Sequence, residues 1–333
     1  MNTAQHLGVA AAVAQDHPNL YLPDRLWAVT FCGADARFID WWTKTLAYRT
    51  QVEAVCVGTS SSMQNISQSD FLDLRIDLPE PGMQGAIADY LDRETASIDT
   101  LIGEQQSLIG LLRERRQAII DAAFSVLGEP SVQLRRYTRF LTSGSRGWGD
   151  YYADEGERFV RIGNLPRINL DLRGEVQFVD IPVDAAEGSR TMLQGGDLLF
   201  SITAYLGSVA VVEGEWVGAY VSQHVALCRL ESEHVDSRFI GWFMLTTTGQ
   251  GQLSQGAAGG AKIQLALDDI RELRVPLAPI NEQRSIASSL DERTAKIDVL
   301  IAESERFIEL ARERRSALIT EAVTGQIDVR EAA

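Results

Sequence analysis

Apolar residues recur at three, four and seven positions along two long stretches of the chain. In the first, Ile87, Leu91, Ile98, Leu101, Ile102, Leu108, Ile109, Leu112 and Ile119 form a stripe with charged residues between them and no proline. The second repeats it with Ile286, Leu290, Ile297, Leu300, Ile301, Phe307, Ile308 and Leu318. This spacing predicts helices over 84–124 and 283–323. Roughly forty residues at ~1.5 Å each make a rod about 60 Å long, more than one domain's core can cover, so the two rods are expected to bury each other. Pro79 and Pro81, and Pro276 and Pro279, are expected to stop a preceding strand and set each helix entry. Gly128 and Pro130 end the first helix.

Between the rods the period changes. Residues 131–275 alternate short β-rich runs (Arg158–Ile162, Glu175–Val179, Leu198–Ile202, Ser208–Val212, His224–Leu230) with turns such as Arg173-Gly174 and Gly195-Gly196. One helix, near Ser237–Thr247, interrupts them, which predicts a mixed α/β globule.

The two rods are copies of one another. Gln84 to Ile120 aligns without a gap with Gln283 to Ile319, an offset of 199, with 20 identities in 37 positions. They include Thr95-Ala96 against Thr294-Ala295 and Arg113-Glu-Arg-Arg116 against Arg312-Glu-Arg-Arg315. Upstream the match weakens: Asp70–Arg75 resembles Asp269–Arg274, Arg37–Trp42 resembles Arg238–Phe243 with a shift of two, and Asp24–Phe31 aligns loosely with Gln223–Leu230. The residues before Gln223 find no counterpart before Asp24. The chain therefore divides into a partial first domain (1–83), a first long helix (84–127), a complete second domain (128–275) and a second long helix with its tail (276–333).

Composition narrows the functional classes. No run of eighteen apolar residues and no basic-then-apolar N-terminal segment occurs, so a membrane span or secretory signal is not expected and the cytoplasm is the default. Cys32, Cys56 and Cys228 form no C-x-x-C pair and read as buried, inert thiols. A net charge of −15 opposes phosphate binding over the chain as a whole. Positive charge is almost wholly guanidinium, with three lysines among 31 basic residues, and residues 131–175 hold eight Arg against six acidic residues.

Three features resemble the specificity subunits of Type I restriction-modification systems. The first is the helix lead-in Pro276-Leu-Ala-Pro-Ile-Asn-Glu-Gln-Arg-Ser-Ile-Ala with Thr294–Asp298 and Arg312–Arg315. The second is Gly195-Gly-Asp-Leu-Leu-Phe-Ser201 followed by Gly207-Ser-Val-Ala-Val-Val212. The third is Ser222-Gln-His-Val225 with Lys262-Ile-Gln-Leu265 and Asp269. The resemblance implies mixed α/β target-recognition domains, each reading half of a split double-stranded DNA site, joined by two long antiparallel coiled-coil spacer helices. It implies docked methyltransferase subunits, an endonuclease/translocase subunit for cleavage, self-pairing through the spacer helices as a further option, and no catalytic centre or cofactor in this chain. A coiled-coil assembly protein, or a degenerate subunit that docks methyltransferase without reading DNA, is the alternative.

Catalytic motifs are missing. Gly163-Asn-Leu-Pro166 lacks the second proline and the aromatic of an adenine methyltransferase loop, no P-loop occurs, and no lysine follows an acidic residue by two positions. His224 and Cys228 share an i, i+4 spacing but have no further ligands in sequence, and packing is favoured. For DNA contact the glycine-punctuated run Ser143–Tyr152 offers Arg146 for guanine or phosphate and Trp148, Tyr151 and Tyr152 as planar groups; a solvated loop with Trp148 folded onto its own core fits equally. Arg161 and Asn164 follow, Asn164 suited either to adenine or to a plain turn. Ser201, Thr203 and Tyr205 alternate on one face of an expected extended run, and Lys262 and Gln264 end a small-residue loop able to approach phosphate, with Gln64 at the aligned earlier position. The Arg-Glu-Arg-Arg motifs read as solvated, charge-paired helix faces.

Overall fold

The computed structural model describes all residues except 1–6, 14, 16, 17, 20, 24, 25, 57–64, 145, 182–185, 257–263 and 331–333. They form two compact units, 1–110 with 301–333, and 111–300, so each long helix belongs partly to both. In chain order the helices are α1 (Ala36–Trp42), α2 (Leu46–Val55), α3 (Gln68–Leu72) and α4 (Pro81–Ser125). Then come β1 (Val132–Gln133), β2 (Thr138–Ser143), β3 (Tyr152–Ala153), β4 (Glu157–Val160), β5 (Gln177–Val179), α5 (Ala186–Thr191), β6 (Leu198–Ser201), β7 (Val209–Val211), β8 (Tyr220–Val221) and β9 (Val225–Leu230). The chain closes with α6 (Ser237–Met244), α7 (Thr247–Gly256), α8 (Leu267–Glu272), β10 (Arg274–Val275) and α9 (Ile280–Val323).

The second unit is built on an antiparallel sheet of order β2-β9-β6-β7. Its inner strands are apolar on both faces because both faces are covered, which is why they read as continuous runs. Leu198 and Phe200 of β6, Val209 and Val211 of β7, and Ala226 and Cys228 of β9 face α6–α8 with Ile120, Phe124 and Leu290 of the long helices. The alternate residues Leu199, Ala210, Val225 and Leu227 face Val160, Leu193, Trp216 and Val221. A second sheet, β3-β5-β4-β8, is antiparallel except where β4 runs parallel to β8, and it holds its own small core of Trp148, Phe159 and Val179. β1 and β10 pair antiparallel where the chain enters and leaves the unit.

In the first unit, Ile87, Ala88 and Leu91 of α4 pack with Phe38 and Trp41 of α1 and with Ile319, Ala322 and Val323 of α9. The long helices run antiparallel, since in this unit Asp99 of α4 pairs with Arg315 of α9, while in the second Arg116 pairs with Asp298.

The sequence repeat is a repeat of hydrogen bonds. Trp41 donates from Nε1 to Asp92 at 2.9 Å, and Trp242 does the same to Asp291 at 2.9 Å. Gln84 accepts from Asp35 N and donates to Pro79 O, both at 2.8 Å. Its counterpart Gln283 accepts from Asp236 N at 2.9 Å and donates to Ala278 O at 2.8 Å. Gln51 brackets the backbone of Arg75 as Gln252 brackets that of Arg274. These pairs make α1–α3 the counterparts of α6–α8, a correspondence only weakly legible as sequence. Among its described residues the first unit holds no β-strand.

Several expectations need correction. Both long helices start earlier, at Pro81 and Ile280, and Pro81 is the first helical residue, where its missing N–H costs nothing. Only the second helix follows a strand, β10. Leu101, Leu108, Leu300 and Phe307 of the expected buried stripe are exposed, because each helix packs along a narrower seam. Cys32 is exposed and Cys56 half-buried; Cys228 alone is buried. The Arg-Glu-Arg-Arg motifs are not simply solvated: Arg116 is buried against Asp298 and the Trp242 ring, and Arg315 lies over Trp41. At Arg238 burial lowers the guanidinium pKa, but the hydrogen bonds it donates to Asp291 and the charges of Asp291 and Glu213 outweigh it, leaving the pKa above its ordinary value.

Candidate nucleic-acid interface

Four loops of the second unit meet at one end of the sheet, where β2 and β6 finish and β7 and β9 begin. The strand register sets this: Ser143 faces Ala226, Ser201 faces Val225, and Phe200 faces Val209. Backbone hydrogen bonds lace the loops together: Ile202 N donates to His224 O at 3.0 Å, Leu265 N to Ile202 O at 3.0 Å, and Ser222 N to Val160 O at 2.9 Å. Gly144 lies so close to this junction that a Cβ there would stand 2.0 Å from Val221 O, so only glycine lets the Arg146 loop pass.

The polar groups gathered here are Arg146, Arg161, Arg167, Thr203, Tyr205, Gln223, His224 and Gln264. Thr203 Oγ1 and His224 Nδ1 are 3.1 Å apart, and His224 Nε2 is 3.1 Å from Gln223 Nε2. The Arg167 guanidinium sits over the exposed Tyr205 ring, 5.0 Å from its centroid. Tyr205 has φ +56°, a left-handed conformation that a residue with a bulky side chain adopts at a cost. It is held there by Ser201 Oγ, which donates to Tyr205 O at 2.6 Å, and by Ser208 N, which donates to the same oxygen at 3.2 Å.

Charge is left uncommitted at this end. Among the described residues Arg146, Arg167 and Arg173 are exposed and make no ion pair. Elsewhere in the unit Arg229 pairs with Asp197, Arg238 with Asp291 and Arg158 with Glu215, while Arg136, Arg139, Arg284 and Arg293 are, among the described residues, likewise exposed without an ion pair. Arg161 is intermediate, 3.4 Å from the exposed Glu175 carboxylate.

The structure separates the candidates read from sequence. Asn164 is buried: its Oδ1 accepts from Arg161 N at 2.9 Å, and its Nδ2 donates to Arg173 O at 3.0 Å and Glu175 O at 2.9 Å. No amide edge is left for a base. Trp148 is folded into the second sheet's core, stacked 5.1 Å from Phe159. Tyr151 and the exposed Tyr152 lie at the opposite end of β4 from Arg161, since Tyr152 and Glu157 both face Val179. The extended run expected for Ser201, Thr203 and Tyr205 ends at Ser201, which is buried, and the chain then turns. Gln264 is exposed beside Ile202, whereas Lys262 and Gln64 lie outside the described residues. His224 and Cys228 do not converge, one exposed at the loop and the other in the core, and among the described residues no metal-binding cluster occurs. Arg167 and Gln223 were missed; Arg167 follows a buried proline and has no motif to mark it.

The chain matches known proteins over this region and beyond. Residues 182–306 match the family model described as Type I restriction modification DNA specificity domain. The chain is 22% identical over 323 residues to the Type I restriction enzyme StySPI specificity subunit of Salmonella potsdam, covering 89% of this chain and 68% of that protein. It is 22% identical over 340 residues to the EcoKI specificity subunit of Escherichia coli K12, covering 92% and 70%. A solved structure, described as the structural basis of complex assembly and conformational transition of the type I R-M system, superposes with a TM-score of 0.62 at 16% identity, covering 87% of this chain and 71% of that one. With the paired long helices and the α/β unit between them, the chain is similar over most of its length to Type I restriction-modification specificity subunits, and residues 182–306 match that family's DNA specificity domain.

Proposed function

We propose that this chain reads DNA for a Type I restriction-modification complex through the sheet end of its second unit. Arg167 standing over the strained, exposed Tyr205 is the observation that carries the reading. A guanidinium with no ion pair among the described residues, set on a planar ring beside Thr203, Gln223 and His224, offers forked and single donors to base edges and phosphates together. Arg146 and Arg161 supply backbone charge on the neighbouring loops, and the net charge of −15 is then offset locally rather than over the chain.

The long helices serve as docking faces for methyltransferase subunits. Leu101 and Leu108 of the first unit and Leu300 of the second are exposed although apolar, which suits surfaces covered by protein. An endonuclease subunit completes the complex for cleavage. Two copies pairing through the same helices would present two identical reading surfaces and a symmetric target.

Co-expression with the adjacent methyltransferase subunit in a host free of adenine methylation, followed by genome-wide mapping of methylated adenine, tests the reading. A split motif with a fixed gap is expected, and a symmetric one identifies pairing. A soluble, partner-bound complex with no motif supports the alternative that the chain docks methyltransferase without reading, which the lack of a strand among the first unit's described residues favours.

A further inference from the structure

Gln223 and His224 stand at the tip of the tight turn between β8 and β9, where Val225 N donates to Ser222 O at 3.0 Å. Both side chains are exposed. The turn is tied to its neighbours through the backbone: Ser222 N donates to Val160 O, and Ile202 N donates to His224 O. Thr203 follows Ile202, so the contact that holds His224 also brings the Thr203 hydroxyl to 3.1 Å from His224 Nδ1. On its other side the ring meets the Gln223 amide, with His224 Nε2 and Gln223 Nε2 3.1 Å apart.

The donors decide which ring nitrogen carries the proton. An amide nitrogen only donates, so His224 Nε2 is the bare, accepting nitrogen, and the proton of the neutral ring sits on Nδ1. Nδ1–H then donates to Thr203 Oγ1. The bonds run one way, from Gln223 to His224 and from His224 to Thr203, and a proton on Nε2 would set two donors against each other. Hydrogen bonds between exposed groups exchange almost evenly with water and add little to stability. What these two fix is direction. One Nε2 hydrogen of Gln223 is taken by the ring, while its other hydrogen and Oε1 are left for a ligand.

We propose that Gln223 is a base-reading residue that selects adenine, and that His224 and Thr203 are positioning residues that fix which way its amide points. The proposal rests on the DNA reading above and names the base-selective group within it. In the major groove adenine shows an N6 amino donor beside an N7 acceptor, which a glutamine meets with its oxygen and one N–H. Those are the two groups that the bond to His224 leaves free. Turned over, with Oε1 at the ring, the amide would offer N–H groups alone and suit the paired acceptors N7 and O6 of guanine. A glutamine free to turn accepts both purines. One pinned by an imidazole whose own proton is committed to Thr203 rejects guanine, because turning over would leave Oε1 facing a bare nitrogen.

The test maps methylated adenine genome-wide for variants of the full chain co-expressed with the methyltransferase subunit, and compares the bases tolerated at each position of the motif. Gln223→Ala is expected to lower the preference for adenine at one position by about tenfold or more. His224→Ala and Thr203→Val, which free the amide, should admit guanine beside adenine at that same position. Thr203→Ser keeps the hydroxyl and should restore adenine alone. Gln223→Glu can only accept, and should move the position towards cytosine, whose N4 amino group donates. Residues that merely supported the loop would weaken every position together. Motifs unchanged in Gln223→Ala and His224→Ala therefore overturn the proposal while the DNA reading stands, and so does methylation that falls evenly at all positions with no change of base at any. A parent complex that yields no motif overturns both.

Discussion

Arg116 of α4 donates from Nε to Asp298 of α9 at 2.8 Å, and the equivalent pair, Arg315 and Asp99, meets at 2.9 Å. Each arginine also lies over an equivalent tryptophan, Trp242 or Trp41. The geometry is the same but the solvation is not: the Arg116 side chain is 7% exposed and that of Arg315 30%. Asp298→Ala would strand a buried guanidinium and is expected to cost about 3 kcal/mol or more. Asp99→Ala leaves Arg315 to water and is expected to cost below about 1 kcal/mol. Urea unfolding followed by far-ultraviolet ellipticity measures both, and equal losses would show that burial does not decide the cost.

Asn164 separates folding from reading. Its amide makes three hydrogen bonds inside the 161–175 loop, so Asn164→Ala leaves Arg161 N, Arg173 O and Glu175 O without that partner. A stability loss of about 2–3 kcal/mol follows from unmet buried groups. The methylated motif of the complex should stay the same. A changed motif with unchanged stability would return Asn164 to the DNA surface.

Tyr205 predicts the opposite combination. Tyr205→Gly removes a side chain from a left-handed position and should hold or raise stability by up to about 1 kcal/mol. It also removes the ring under Arg167, and DNA affinity of the methyltransferase complex should fall about tenfold, by analogy with the loss of one good contact. Arg167→Ala should lower affinity and reduce the slope of log affinity against log salt by about 1 if the group also neutralises a phosphate. Affinity unaltered in both variants would place the reading surface elsewhere.

What the sequence made legible were features repeated or periodic enough to survive without context. The helix stripes and the offset of 199 gave both rods, and strands β6, β7 and β9 read as apolar runs because both their faces are buried. β2 was missed because Thr138–Ser143 is a bulged edge strand rich in hydroxyls. The helices α1–α3 were visible only as scattered matches such as Arg37–Trp42, since hydrogen bonds made by Gln51 and accepted by Gln84 and Asp92 hold their arrangement with few shared residues. The site was the least legible part. Arg167 is 38 residues from Tyr205 in sequence, and only the turn after β6 brings them together.

Cys228 gives a prediction with a sign in pH. Burial in the sheet core pushes its thiol pKa from an ordinary 9.0 up to about 12, against a smaller opposing hydrogen bond with Thr138. The fold therefore holds the neutral thiol, while the unfolded chain ionises near the ordinary value. That contribution to stability is fully present below about pH 9 and is lost as pH rises towards about 12, because the unfolded state releases the proton first. Cys228→Ala removes the titrating group at a cost of about 1 kcal/mol for the lost packing. The variant should lose less stability than the parent between those two pH values, read as the difference between their urea midpoints, which cancels the other alkaline titrations. The same burial protects the sulfur: at pH 8, iodoacetamide should label exposed Cys32 and leave Cys228 unlabelled until urea is added. Labelling of Cys228 in the native chain at the rate of Cys32 would mean that this strand opens readily, and the sheet end carrying Tyr205 and His224 would then lack the rigid support that reading a base edge needs.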